Sequence, residues 1–408
     1  MKIITDEKQI DDLLTRGIEN IYPDRESFKK LLMTGKRIKI YQGYDPSSNK
    51  LHIGNAIGMK ILEKFRKFGH HIIFLIGTGT GKVGDPTDKL ATRTILSDKE
   101  INNNIKGWLE QANQILDFHN PDNPVEILKN GDWLNQMSLD NFLKICYQVT
   151  IQQLLERDMF QKRIKENKPI TVAEILYPLL QGYDSVAMEV DAEFGGNDQM
   201  FNMMMGRMLV KNMLHKEKYV ITGKLITDTQ GVKMGKSLGN VINLTDKPED
   251  IFGKVMSFTD EMICSAFEIL TEIPIEEIKQ MKREIEAGTT NPMIFKKQLA
   301  FEVTKWIKGE KEALKAQKYF EKTVQQQNIP EDLRTYTFTD KPTVLNLIKF
   351  LVDKGCIISN GEGKRLVKQG GIEIDGKKII DINASIKFNK KIIIKIGKRQ
   401  WVRIKTMN

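Results

Sequence analysis

Two short apolar runs, IKIYQG at 38–43 and HIIFLIG at 71–77, enclose a stretch in which Ile53, Ile57, Ile61 and Phe65 recur at helical spacing. The runs have the length of buried parallel strands, and the period between them is that of a helix packed along one face. The pattern therefore predicts a β–α–β unit. Similar alternation continues to about Thr245, which predicts an α/β domain built on a parallel sheet. Residues 1–36 read as amphipathic helix and turns. From Pro248 to about Asn328 strand signals vanish and helical stretches rich in Glu and Lys take over. The polar segment EDLRTYTFTDKPT (331–343), with its Pro342, reads as a linker. Beyond it, VLNLIKFLVD (344–353) predicts an amphipathic helix, and GEGKRLVKQGG (361–371) a basic helix stopped by two glycines. IEIDGKKII (372–380) predicts a hairpin turning at Asp375-Gly376, and IIIKIGKRQWVRIK (392–405) further strands. The expected organisation is an α/β domain over 1–245, an α-helical domain over 246–330, a linker at 331–341 and a small α+β domain over 342–408.

Composition narrows the class. Of 408 residues, 40% are hydrophobic and 8% aromatic, which suits globular cores. The longest apolar stretch, around Ile72 to Ile76, is much too short to span a bilayer, and the first residues lack the apolar core of a secretory signal. Cys146, Cys264 and Cys356 lie far apart with no CxxC pair, which argues against a disulfide scaffold or a structural zinc site. A cytoplasmic protein without membrane association is expected. The net charge of +10 resides in the tail: 342–408 holds 15 basic and 5 acidic residues, leaving 48 of each sign before it. A neutral body with a basic terminal segment points to a polyanion-binding surface, nucleic acid first.

Candidate chemistry lies in two places. Gly79-x-Gly81-x-x-Gly84 matches a dinucleotide fingerprint, but it follows the second strand and runs into Asp85-Pro86, so it carries little weight. The stronger signal is YQGYDPSSNKLHIGN (41–55). There a strand ends at Gly43, Asp45 and Ser47 follow, and His52-Ile53-Gly54-Asn55 opens a helix. Free N–H groups at a helix start favour an anion, and His52 adds a donor. Far downstream, Lys233-Met234-Gly235-Lys236-Ser237 sits among Gly231, Gly235 and Gly239, as a flexible clamp on a polyphosphate would. Either motif alone also fits an ordinary helix start or an exposed lysine pair.

Taken together, HIGN and KMGKS resemble the paired signatures of class I aminoacyl-tRNA synthetases. YQGYDPSSNKLHIGN, GTGTGKVGDPT, LYPLLQGYD (176–184), GGNDQ (195–199) and KMGKS resemble, in order and spacing, the bacterial-type tyrosyl-tRNA synthetase family. The tail resembles the small RNA-binding domain of the S-four ribosomal-protein type. The resemblance implies a Rossmann-like catalytic domain, an anticodon-side helical domain and an RNA-binding domain. It also implies roles. Tyr41 and Asp184 would meet the phenolic hydroxyl of tyrosine, with Gly43 at the same pocket. Asp85, Tyr177 and Gln181 would hold the α-ammonium, and Asp45 and Gln199 would line the junction with the nucleotide. Ser47, His52, Gly54 and Asn55 would meet ATP phosphates, and Gly196 with Asp198 the ribose. Lys89 and Arg93 would join Lys233, Lys236 and Ser237 around pyrophosphate. Lys364, Arg365 and Lys368, with Lys377, Lys378, Lys398, Arg399, Trp401 and Arg403, would face tRNA.

The reaction so implied needs no general base, because a carboxylate attacking the α-phosphorus is already ionised at neutral pH. It needs alignment and positive charge around phosphates, which His, Asn, Lys, Arg and helix-start N–H groups provide. Magnesium would come with ATP, and no protein-held structural metal is expected. Two departures from the family pattern stand out: Asn55 replaces the second histidine of HIGH, and Gly235 a serine of KMSKS. Tyr177, Gln181 and Asp184 fall at i, i+4 and i+7, which fits one polar helix face as well as a pocket. Tryptophanyl activation, nucleotidyl transfer to a small metabolite, and a non-catalytic RNA-binding module remain alternatives. Family resemblance further implies a homodimer formed through the region near 130–170.

Overall fold

The computed structural model describes residues 2–85, 97–226, 241–322, 333–339, 342–386, 391–397 and 400–406. The chain divides into two compact units, Met1–Asp246 with Phe258–Phe295, and Lys247–Ser257 with Lys296–Asn408.

The first unit is built on a six-stranded sheet. Its strands are β1 (Ile18–Tyr22), β2 (Lys39–Tyr44), β3 (His71–Ile76), β4 (Glu126–Lys129), β5 (Ala192–Gly196) and β6 (Tyr219–Gly223). They lie in the order β1-β6-β5-β2-β3-β4. Pairs β2–β3, β2–β5, β3–β4 and β5–β6 are parallel, and only β1 runs antiparallel, against β6. Five of the six residues of β3 are buried, as a strand covered on both faces requires. The intervening helix, Ile53–Lys67, buries Ile53, Ile57, Ile61 and Phe65, the four positions that define its apolar stripe. Strand order reverses between β2 and β5, and the crevice beyond the carboxyl ends of strands at such a switch point is where α/β sheets bind ligands. Gly43 and Gly196 stand at those two ends.

Two expectations are corrected here. Residues 1–36 hold not only helices, Glu7–Thr15 and Arg25–Met33, but also β1, whose IENIY carries too few apolar residues to announce itself. The 246–330 stretch, expected as one helical domain, is divided between the two units. Helices Met262–Leu270 and Ile275–Glu286 belong with the sheet, and specific polar contacts explain why. Arg16 donates to the carbonyls of Glu268 (3.0 Å) and Phe267 (3.4 Å). Lys60 donates to the Thr271 carbonyl at 3.0 Å and pairs with Glu272 at 2.9 Å, and Lys224 meets Glu268 at 2.6 Å.

The second unit combines helices Pro248–Val255 and Glu310–Phe320, where Phe252 and Phe320 stand 5.4 Å apart, with the basic tail. The tail sheet has the order β7-β11-β10-β8-β9, with β7 (Thr335–Phe338), β8 (Ile372–Ile374), β9 (Lys377–Ile379), β10 (Lys391–Ile396) and β11 (Gln400–Thr406). The β8–β9 hairpin turns at Asp375 (φ 48°) and Gly376 (φ 79°), the two positive-φ positions that an Asp-Gly turn supplies. β7 lies inside the segment expected as a linker. Its alternating Thr-Tyr-Thr-Phe pairs in parallel with β11, and Phe338 enters the core. Helices Val344–Asp353 and Asn360–Lys368 cover the sheet; they approach so closely at Gly363 that a Cβ there would stand 2.4 Å from Ile348 Cγ2.

Candidate active site

His52 caps the helix that follows β2, with extended backbone (φ −113°, ψ 169°). Its N–H donates to Asn55 Oδ1 at 3.0 Å, closing the first turn by the reciprocal half of a capping box. Asn55 therefore has a backbone-fixing role that its histidine counterpart in the family pattern did not suggest. Gly54 lets the His52 ring lie over that turn, since a Cβ would stand 3.0 Å from the imidazole.

The chain returns to this turn from far downstream. Ile53 N–H donates to the Ile242 carbonyl at 2.9 Å, Leu244 N–H to the Leu51 carbonyl at 2.9 Å, and His52 and Asn243 form an antiparallel bridge. Lys233, Lys236 and Ser237 lie outside the described residues, as do Lys89, Arg93, Lys398 and Arg399. On the described flanks, β6 lies beside β5, and Ile242, Asn243 and Leu244 pair with the His52 turn.

A polar cluster fills the floor of the β2/β5 crevice. Asp184, 2% exposed, accepts from Trp133 Nε1 at 2.8 Å and Asn130 Nδ2 at 3.1 Å. Asn130 also donates to Thr80 Oγ1 (2.8 Å), and Thr80 Oγ1 donates to Asp45 Oδ1 at 2.7 Å. The other oxygen of Asp45 accepts from the Tyr177 hydroxyl at 2.8 Å. Gly77 is required beneath this group, since a Cβ would stand 2.0 Å from Asp45 Oδ1. A second chain runs along the same floor. Gln181 Nε2 donates to Glu193 Oε1 (3.1 Å), while Asn202 Nδ2 donates at 3.0 Å to both Gln181 and Gln199. Gln199 Nε2 in turn donates to Asp85 Oδ2 at 2.6 Å.

Tyr41 is fully buried, and its hydroxyl pairs with Ser185 Oγ at 2.8 Å, so Ser185 rather than Asp184 is its direct partner. Burial, reinforced by nearby carboxylates, pushes the Tyr41 and Tyr177 hydroxyls well above the ordinary range and keeps both protonated. Burial likewise pushes the Asp184 carboxyl upward, against the bonds from Asn130 and Trp133 that favour its charged form. Gly43 is exposed, and a Cβ there would meet only Leu75 at an ordinary 3.7 Å. The fold does not demand glycine at that position, but close approach by a ligand would. Gly196 differs: a Cβ would stand 2.4 Å from Asp198 Oδ1, so glycine lets that carboxylate lie over the end of β5.

Tyr41, Asp45, Asp85, Tyr177, Gln181, Asp184 and Gln199 thus belong to linked polar networks of one unit, while Ser47 is exposed just beyond β2. Sequence reasoning missed Thr80, Asn130, Trp133, Ser185, Glu193 and Asn202. Thr80 lies in the glycine-rich stretch set aside as a dinucleotide mimic. Asn130 and Trp133 lie in the region assigned to dimerisation, although a polar residue directly after a strand is a usable signal at such a switch point. In the second unit, Lys364, Arg365 and Lys368 are exposed and line one surface depression with Gly361, Gln369 and Ile382.

Comparison with known proteins gives the family. Residues 33–325 match the tRNA synthetases class I (W and Y) family, and 325–404 match the tyrosine–tRNA ligase SYY-like C-terminal domain. The tyrosine–tRNA ligase of Thermotoga maritima is 37% identical over 98% of this chain and 98% of its own. That of Dehalococcoides mccartyi strain CBDB1 is 38% identical over 97% and 98%. Among solved structures, a C-terminally truncated mitochondrial tyrosyl-tRNA synthetase of Aspergillus nidulans matches with a TM-score of 0.63 at 22% identity, covering 76% of this chain and 92% of its own. The Archaeoglobus fulgidus tyrosyl-tRNA synthetase complexed with L-tyrosine matches with a TM-score of 0.58 at 18% identity, covering 76% and 99%; both likenesses concern the fold. The chain belongs to the tyrosyl-tRNA synthetase family of class I aminoacyl-tRNA synthetases.

Proposed function

We propose that the protein activates tyrosine with ATP and transfers it to the 3′ end of tRNA(Tyr). The observation that carries this reading is the meeting of the His52 turn and the 242–244 segment within the unit that also holds the polar network of Asp184. In the first step a tyrosine carboxylate oxygen bonds the α-phosphorus, the bond to the bridging oxygen breaks, and pyrophosphate leaves. In the second, a ribose hydroxyl of tRNA attacks the adenylate carbonyl and AMP departs. Helix-start N–H groups and His52 stabilise the phosphates, and Lys233 and Lys236, with Lys89 and Arg93, meet the charge that builds on pyrophosphate. Contacts made mainly at that stage raise turnover rather than affinity. Magnesium arrives with ATP as part of the substrate.

A carboxylate offers about four acceptor positions. Asp184 uses two on Trp133 and Asn130, which leaves capacity for a phenolic hydroxyl and none of use to a phenyl ring. The carboxylates of Asp45 and Asp85 suit the α-ammonium; the Tyr177 hydroxyl donates to Asp45, and Gln181 is linked to Asp85 through Asn202 and Gln199. In the tail, Lys364, Arg365 and Lys368 bind tRNA phosphates. The protein works in the cytoplasm; no helix among the described residues is long and apolar enough to cross a membrane. Leu139 (71% exposed), Tyr147 (84%) and Ile151 (51%) are large apolar side chains left exposed within 130–170, which suits an interface with a second copy that light scattering of the intact protein checks.

Charging of tRNA(Tyr) with labelled tyrosine tests the full reaction. Acid-stable tyrosine on the tRNA pool is expected; none, with active adenylate formation, would remove the transfer step.

A further inference from the structure

Lys218, directly before β6, is wholly buried and ion-paired with Glu193 of β5, itself 2% exposed. Its Nζ also donates to the Met203 carbonyl at 3.3 Å. Removing an ammonium from water is costly unless pairing and hydrogen bonds compensate, and the surrounding backbone is shaped to permit it. A Cβ on Gly206 would stand 2.6 Å from Lys218 Nζ and 2.8 Å from Ser185 Oγ. The activation chemistry makes no use of this lysine.

The pair lies between the two ends of the amino-acid slot. On one side the ammonium is 5.7 Å from the centroid of the Tyr41 ring, whose hydroxyl is tied to Ser185. On the other, Glu193 accepts from Gln181, and the chain continues through Asn202 and Gln199 to Asp85. We propose that Lys218 is a positioning residue for the substrate amino acid. By holding Glu193 it fixes Gln181 at the ammonium end, and by lying under Tyr41 it fixes the wall at the ring end. This inference rests on the slot being the tyrosine site, and it assigns a role to a residue that touches no reacting atom.

A pair serving stability alone would leave both substrates bound as before. A positioning pair weakens tyrosine selectively. The intact protein is titrated with L-tyrosine alone, and KM values for tyrosine and ATP are read in pyrophosphate exchange. Lys218→Met is expected to raise the tyrosine Kd and KM roughly tenfold, a size typical of coupled neighbours, with KM for ATP within about twofold of the parent. Glu193→Gln is expected to do the same. The double variant should bind tyrosine better than either single one, because two neutral groups need no counter-charge. Unaltered tyrosine affinity in either single variant, parallel losses for both substrates, or additive losses in the double would overturn the assignment. Should Lys218→Met fail to fold, Glu193→Gln and the double variant decide. A parent protein that binds no tyrosine would overturn the functional reading together with this inference, whereas tyrosine binding untouched by the substitutions overturns this inference alone.

Discussion

Ile53 N–H donates to the carbonyl of Ile242 at 2.9 Å, joining the start of the His52 helix to the chain just beyond the KMGKS segment. That single bond relates two motifs far apart in sequence, and the Leu244–Leu51 bond and the His52–Asn243 bridge extend it in register.

Asn55 separates capping from catalysis. Asn55→Ala removes the acceptor of the His52 N–H and is expected to cost about 1 kcal/mol of stability. Asn55→Asp keeps an acceptor but sets a negative charge beside the phosphates. Urea unfolding should place Asp close to the parent and Ala below it, while exchange turnover falls in both. Equal stability of all three would remove the capping role.

Asp184→Asn cannot accept from Trp133 and Asn130 and still offer a further acceptor to a phenol. Leaving a buried polar group without its hydrogen bond costs about 1–3 kcal/mol, so the preference for tyrosine over phenylalanine should fall roughly 5- to 100-fold. The ratio of kcat/KM values in exchange measures it. An unchanged ratio would take Asp184 out of ring recognition.

Replacing Lys364, Arg365 and Lys368 together by alanine should leave tyrosine-dependent exchange intact and weaken tRNA binding. The slope of log affinity against log salt should become shallower by about 2–3, because each phosphate that is no longer neutralised keeps its counterion. A simultaneous fall in exchange would mean that these residues support the catalytic unit.

His70 is fully buried, neither ring nitrogen has a hydrogen-bond partner, and burial lowers its pKa from 6.5 to about 4. The unfolded chain therefore binds a proton that the folded chain refuses across that interval. Stability is complete above pH 6.5 and is lost as pH falls toward 4, by up to about 3 kcal/mol. His70→Phe, beside Phe65, should flatten this dependence in urea unfolding between pH 4.5 and 7.5. A slope unaffected by the substitution would assign acid sensitivity elsewhere.

Much of the fold was legible because its elements declare themselves locally. The stripe of Ile53, Ile57, Ile61 and Phe65, the apolar runs of β2 and β3, and the Asp375-Gly376 turn each follow from a short window of sequence. β1 was hidden because IENIY does not alternate, and β7 because its alternation covers only four residues; pairing with distant β6 and β11 makes them strands. The site divides in the same way. Motif residues such as His52 and Asp184 were visible, whereas Ser185 and Lys218 acquire meaning only through Tyr41 and Glu193, which the sheet brings to them. The same is true of 258–295, whose attachment to the first unit depends on Arg16, Lys60 and Lys224 and not on its own helical pattern.

The central claim is that one triphosphate and one hydroxylated ring are held together by the His52 turn, the lysine segment and the Asp184 floor. Exchange of labelled pyrophosphate into ATP, run separately with tyrosine, phenylalanine and tryptophan, tests it most directly. Exchange is expected with tyrosine, far above either other amino acid, and lost on joint replacement of Lys233 and Lys236. Exchange with tryptophan alone, or with none of the three, would contradict the account.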